Sequence, residues 1–267
     1  MANTGTGPGG MLDRLGRIYR ILGTGFFFAI LFGGGAAIAA IAFPIVGLTT
    51  RDPRLRRERN QYIIHLLFRS YIGSMRLMRL AFFDYRGLDK LRDAPGRMVI
   101  ANHPSLLDVV MLMALMPRAQ CIVKQSLWES PYLGRLVRGA GYISNALPTE
   151  QLIEACRQSI DDKTCLIVFP EGTRTTPGEP MRLQRGFANV ALMLGLDIQL
   201  VTITCTPPTL LKGQKWYAIP PRRPVFRVDV GEMLSVKHML NDHGRPLAAR
   251  KLVRMVSAYY EDKLANG

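Results

Sequence analysis

The chain reads as an α/β protein: a mixed, largely parallel sheet flanked by helices, with an N-terminal membrane-embedded helical segment. Three observations predict this. From Arg97 on, short apolar runs alternate with stretches of helical period, as strand–helix–strand layering requires. From Ile21 to Thr50 no side chain is charged, a run of 30 residues, where a spanning helix needs about 20. The length of 267 residues, 48% of them hydrophobic, suits one ordinary domain plus an attachment segment and excludes wholesale disorder.

Taken in order, residues 1–20 form a flexible basic N-terminus opening on the Gly-rich MANTGTGPGG. Residues 21–50 form the membrane segment, too long for a secretory signal. Gly33–Gly35 and Pro44 weaken a straight helix there, so a re-entrant hairpin stands beside a single span. Basic residues flank it, Arg14, Arg17 and Arg20 before and the denser Arg51, Arg54, Arg56, Arg57 and Arg59 after. That asymmetry places the α/β part on the cytoplasmic side of an inner or cytoplasmic membrane. Residues 51–84 are expected to lie on the headgroups as a basic amphipathic helix, because Ile63, Leu66, Leu67, Leu77 and Leu80 alternate with Arg69, Arg76 and Arg79. A surface helix packed on the domain fits the same pattern.

Residues 85–267 form the α/β domain. Strands are predicted at Met98–Ala101, Gln120–Val123, Tyr142–Ser144, Cys165–Phe169, Ile198–Cys205 and Val225–Val230. Helices are predicted at Leu106–Met116, Leu133–Gly139, Glu150–Asp161, Gly186–Leu194 and Pro246–Leu264. The net charge of +15 calls for an anionic partner: lipid headgroups, an acidic carrier protein or nucleic acid. The long uncharged run, and the absence of a basic run interleaved with stacking aromatics, argue against nucleic acid. Cys121, Cys156, Cys165 and Cys205 lack metal or dithiol spacing and read as reduced, buried thiols. His65, His238 and His243 lack ligand spacing, so no metal is expected.

The most informative stretch is Met98-Val-Ile-Ala-Asn-His-Pro-Ser-Leu-Leu-Asp108. A strand runs into His103, and Pro104 suits the first position of a helix. The carboxyl end of a strand is where open α/β sheets carry their sites. Asp108 stands among Leu106, Leu107, Val109 and Val110, and a buried carboxylate there needs a partner. His103 is the natural one. Asp108 would keep one ring nitrogen protonated and leave the other to take a proton from a hydroxyl. Read alone, the pair also fits a helix cap.

A second strand ends in Phe169-Pro-Glu-Gly-Thr-Arg174. Arg174 suits phosphate, and the backbone at Gly172 and Thr173 can approach an anion closely. By itself this loop also fits a surface turn with an ion pair. No Gly-x-Ser-x-Gly elbow is present, which argues against a serine hydrolase.

Together, His103, Asp108 and the Phe169–Arg174 block resemble the glycerolipid acyltransferase family, which includes the 1-acylglycerol-3-phosphate acyltransferases. The resemblance covers roughly Arg86 to Thr206, with Lys124, Pro131-Tyr-Leu-Gly134 and Val201–Pro207 at family-like positions. It implies direct transfer from an acyl thioester of coenzyme A or acyl carrier protein, without a cofactor, to a membrane-lipid hydroxyl. In that picture His103 is the base, Asp108 its orienting partner, and Glu171, Gly172, Thr173 and Arg174 the acceptor site. Lys124 binds phosphate or the oxyanion. The block Gly141-Tyr-Ile-Ser-Asn145 departs from the pattern, with Asn145 where the family has an arginine. This raises a different lyso-lipid as acceptor beside the default 1-acylglycerol-3-phosphate. A non-catalytic membrane scaffold is a further alternative, against which the intact His103, Asp108, Glu171 and Arg174 argue.

Overall fold

A computed structural model describes residues 8–92, 96–176, 178–239 and 244–265. The chain opens with helix α1 (Pro8–Ala37), a π-helical turn (Ile38–Ala42) and α2 (Phe43–Thr49). Residues 8–20, expected to be flexible, are therefore helical, while residues 1–7 lie outside the described residues. Pro44 does not break the rod. It falls at the start of α2, directly after the π turn, whose wider backbone relieves the clash of a proline ring with the preceding turn.

Asp52 then caps α3 (Pro53–Leu77) by accepting the N–H of Arg54 at 2.8 Å, with Pro53 at the first helical position. There follow β1 (Phe82–Arg86), α4 (Asp89–Arg92), β2 (Met98–Ala101), α5 (Asp108–Leu115), β3 (Ala119–Val123), α6 (Gln125–Trp128), α7 (Gly134–Gly139) and β4 (Ile143–Ser144). After these come α8 (Thr149–Asp161), β5 (Cys165–Val168), α9 (Gly186–Leu194), β6 (Ile198–Thr206), β7 (Val225–Leu234) and α10 (Arg245–Ala265).

The seven strands form one sheet in the order β1-β7-β6-β2-β5-β3-β4. β4, β3, β5, β2 and β6 run parallel, and among the described residues only the β6–β7 pair is antiparallel. The central strands are apolar on both faces, as a doubly covered parallel sheet demands. On β2, Val99 and Ala101 join the core under α3 and α5, while Met98 and Ile100 join the core under α9 and α10. β5 and β6 divide the same way, with Ile167 and Ile203 on one face and Leu166 and Leu200 on the other.

Two expectations need correction. Phe82–Arg86 is a strand, paired in register with Val225–Asp229, so the α/β domain begins inside the stretch assigned to the interfacial helix. The apolar face of α3 is turned to the domain rather than to headgroups. Ile64, Phe68, Tyr71, Ile72 and Met75 are buried, and Asn60, Gln61 and His65 bond to Gly139 O, Ala140 O and Met113 O.

The N-terminal rod from Asp13 to Thr49 is 37 residues long and holds an 18-residue window with a mean hydropathy of 2.3, long and apolar enough to cross a membrane. One face docks on the domain. Phe27 meets Tyr71 edge-on at 5.1 Å, and the Arg20 guanidinium donates to Pro220 O and Pro221 O. Gly23 and Gly25 permit this approach, since a Cβ there would fall 2.7 Å from Leu80 and 2.8 Å from Trp216. The opposite face exposes Leu15, Ile18, Leu22, Phe26, Ile41, Ile45 and Leu48 at helical spacing.

Candidate active site

The site forms where β2 and β5 end side by side. Asn102, the first polar residue after β2, is buried and bridges to the neighbouring strand. Its amide donates to Ile203 O at 2.8 Å and accepts from Ile203 N at 2.7 Å. This fixes the exit of β2 and hence the position of His103.

The chain then folds back over the start of α5, as the spacing of His103 and Asp108 predicts. Asp108 is fully buried, and its Oδ2 accepts from His103 Nδ1 at 2.7 Å and from Ser105 N at 2.6 Å. Its Oδ1 has no hydrogen-bond partner among the described residues. Burial pushes the Asp108 carboxyl above its ordinary range, while the His103 ring and the Ser105 amide pull the other way. Its place in the first turn of α5 favours the carboxylate through the helix dipole. A carboxylate can only accept, so the proton it receives belongs to Nδ1, and Nε2 keeps a free lone pair. The ring also stacks on Phe169, centroids 4.3 Å apart, which limits its rotation.

The two loops read as separate motifs are tied together. Glu171 Oε1 accepts from His103 N at 2.9 Å and from Thr175 Oγ1 at 2.8 Å, and Thr175 N donates to His103 O at 2.7 Å. Gly172 turns the loop at a φ of 64°, in the left-handed region where glycine is least strained. Thr173 is half-buried beside it. Arg174 Nη1 donates to Leu210 O and Leu211 O at 2.9 and 3.0 Å, while Leu106 N donates to the same Leu210 carbonyl at 3.3 Å. Leu210 itself has a φ of 56°, a strained backbone for a bulky residue, at the point where both motifs are joined.

Lys124 and Asn145 stand apart from this cluster, at the ends of β3 and β4. Lys124 is exposed at the start of α6. Asn145 is also exposed, and its Oδ1 accepts from Gln125 N at 3.1 Å, so the amide supports the first turn of α6. Asn102, Thr175 and Leu210 were not singled out in the sequence. Asn102 carries a faint signal as a polar residue closing an apolar strand; Thr175 and Leu210 carry none, because their roles rest on backbone atoms. The Cys205 thiol, which feels the charge of Asp108, is pushed up to about 12 by burial and is no thiolate at neutral pH. Among the described residues no cluster of His, Cys, Asp or Glu could hold a metal ion.

Residues 82–206 match the model of the Acyltransferase family. Over 128 residues, 44% of its length, the chain is 33% identical to a 1-acyl-sn-glycerol-3-phosphate acyltransferase of Helicobacter pylori, of which it covers 54%. It is 32% identical over 114 residues to one of Cocos nucifera, covering 37% of that protein. The chain thus spans about half or less of the length of these curated relatives. Its fold resembles the crystal structure of the 1-acyl-sn-glycerophosphate acyltransferase PlsC from Thermotoga maritima. The TM-score is 0.66 at 17% identity, with 96% of this chain and 98% of that one covered. The matched stretch contains the His103–Asp108 pair and the Glu171–Arg174 loop in full, and these similarities support the glycerolipid acyltransferase family for this chain.

Proposed function

We propose that this protein is a membrane-associated O-acyltransferase that moves a fatty-acyl group from a thioester to the free hydroxyl of 1-acylglycerol-3-phosphate, giving phosphatidate. The observation that carries this reading is the 2.7 Å contact between His103 Nδ1 and the buried Asp108 Oδ2, on a ring 19% exposed. Nε2 takes the proton as the acceptor hydroxyl attacks the thioester carbonyl. The tetrahedral intermediate collapses, the C–S bond breaks, and the departing thiolate takes the proton back from Nε2. Ester and thiol are the products, and His103 is regenerated. General base assistance of this kind is worth about 10²–10⁴ in rate.

Glu171 holds the His103 backbone in place, and Gly172, Thr173 and Arg174 line the approach of the acceptor phosphate. Lys124 supplies a further cation at the neighbouring strand end. The donor is acyl-coenzyme A or acyl carrier protein, both anionic and suited to a chain of charge +15. The docked rod with its apolar outer face keeps the protein on the membrane that holds the lipid acceptor. A second reading, the same chemistry on another lyso-lipid, is favoured by Asn145, a neutral amide engaged with Gln125 N.

The test uses the full-length protein in phosphatidylcholine nanodiscs, with each donor in turn. With lysophosphatidate present, thiol release should match phosphatidate formed by mass spectrometry. With donor alone, the intact mass should stay unchanged, since transfer is direct. A stoichiometric acyl adduct would overturn the direct mechanism. Thiol release without any acylated lipid would overturn the transferase reading.

A further inference from the structure

A cavity of about 790 Å³ opens at the opposite edge of the sheet from His103, between α3, the loop after β1 and the far end of α5. Helix α5 separates the two places, with Asp108 at one end and the cavity wall at Ala114–Met116 about 10 Å along it. Apolar residues including Ile72, Leu88, Leu91 and Met116 form part of its wall, and Arg69, Arg76, Arg118 and Lys163 also line it. Among the described residues no carboxylate lines the cavity.

Two of the four cations are already engaged. Arg118 pairs with Glu58 at 3.3 Å, and Arg76 donates to Phe83 O at 2.8 Å while lying over the Phe83 and Tyr85 rings. Arg69 and Lys163 have no ion-pair or side-chain hydrogen-bond partner among the described residues. Only Arg118 has an acid beside it among the described residues, so the cations that line the cavity repel one another, which an anion relieves.

Two backbone features go against local preference at this cavity. Lys163 has a φ of 57° in the turn after α8, a left-handed position that glycine fills at least cost, yet a lysine stands there and reaches the cavity. Gly73 lies inside α3, where glycine is disfavoured relative to alanine. A Cβ on Gly73 would meet nothing within 4 Å, so no neighbouring atom requires a glycine there. What its missing side chain leaves is open volume at the cavity wall.

We propose that this cavity is a second ligand site, separate from the His103 site, for an amphiphile that carries a phosphate group. Arg69 and Lys163 take the phosphate, joined by the free nitrogens of Arg76 and Arg118, and the apolar wall takes the hydrocarbon. The volume lies within the ordinary range for small-molecule sites, about 300–1,000 Å³.

The probe is dodecyl phosphate, added to the full-length protein in phosphatidylcholine nanodiscs and read by hydrogen–deuterium exchange. Protection is expected at residues 114–118 and 163–165, in the wild type and equally in His103→Ala. In Arg69→Ala/Lys163→Ala the half-saturating concentration should rise about ten-fold or more, the cost of losing charge-assisted contacts. A Cβ on Gly73 meets nothing within 4 Å and starts at the cavity wall, so Gly73→Leu should abolish the protection while melting like the wild type. It carries the test if the double variant proves unstable. Unprotected segments in the wild type, or full protection in Gly73→Leu, would overturn the proposal. So would equal protection by inorganic phosphate or by dodecanol, which would show that the site takes a free anion or a neutral chain instead.

Discussion

The backbone N–H of His103 donates to Glu171 Oε1 at 2.9 Å, so the carboxylate of one motif fixes the main chain of the other. The same oxygen accepts the Thr175 hydroxyl at 2.8 Å, so Oε1 is engaged within the protein. Glu171→Ala should therefore lower kcat rather than raise the acceptor KM. Losing a hydrogen bond to a charged group costs about 1.5–3 kcal/mol, or about ten- to a hundred-fold if it displaces the base. Glu171→Gln keeps an acceptor oxygen and should retain most activity. Steady-state kinetics on both variants decides this, and a rise in KM at constant kcat would return Glu171 to the acceptor site.

His103→Ala should reduce acyl transfer by about 10²–10⁴ and leave the fold intact. The side chain sits after β2 rather than within it, and its ring touches Phe169 and Asp108 but belongs to neither apolar core. Thiol release and a melting curve on the purified variant check both halves. Activity within a few-fold of wild type would remove His103 from the mechanism.

The framework of this site was legible because its residues break local pattern. Asp108 is a carboxylate in an apolar helix, and His103 and Glu171 follow apolar strands. Met98–Ala101 and Gly186–Leu194 match their predicted bounds because central strands and buried helices are apolar for their whole length. Phe82–Arg86 was hidden because Phe-Phe-Asp-Tyr-Arg continues the mixture of apolar and basic residues that precedes it, and only pairing with Val225–Asp229 makes it a strand. Asn145 was legible as a departure but not as a support for α6, since its Gln125 contact is 20 positions away in sequence. Leu210 could not be found at all. Its contribution is a carbonyl, which every residue has.

Asp108 also makes a prediction about pH. A carboxyl whose value is raised by burial binds its proton more tightly in the folded chain than in the unfolded one. The stability it contributes is present below the unfolded value and is lost as pH rises through the raised folded value. Asp108→Asn cannot titrate, so its melting temperature relative to wild type should be more favourable near pH 7 than near pH 4.5. The same variant should still lose acyl transfer, because an amide can hold the wrong ring tautomer. Paired melting curves at the two pH values test this, and a constant difference between variant and wild type would refute it.

High salt or carbonate should not strip the full-length protein from membranes, because the outer face of α1 and α2 is apolar along its length. Deleting residues 1–50 is a poor test, since it would also bare Tyr71, Leu80 and Trp216, which the rod covers. Leu22→Glu/Phe26→Glu changes only the outer face, where these residues are 68% and 57% exposed. A charge placed deep in a bilayer costs about 2.5–3.5 kcal/mol on insertion scales. The double variant should melt normally yet appear in the carbonate supernatant. Retention equal to wild type would show that this face does not contact lipid.

The identity of the acceptor is tested at Asn145. Lysophosphatidate carries up to two negative charges, and the proposed acceptor site offers it Arg174, a guanidinium already committed through Nη1 to Leu210 O and Leu211 O. Asn145 adds no charge, and its Oδ1 is held by Gln125 N. Asn145→Arg gives up that hydrogen bond, at about 0.5–1.5 kcal/mol of stability, and places a cation beside Lys124. If lysophosphatidate is the acceptor, the added charge-assisted contact should raise kcat/KM for it by about ten-fold or more, with a slightly lower melting temperature. Activity on a lyso-lipid without an exposed phosphate monoester should not rise. Comparing both acceptors in wild type and variant separates the two readings. Wild-type activity confined to the second lipid, with lysophosphatidate used only by Asn145→Arg, would mean that this chain makes a different lipid product. Strong wild-type activity on lysophosphatidate, unchanged in the variant, would mean that Arg174 and Lys124 suffice and that Asn145 serves only to hold the first turn of α6.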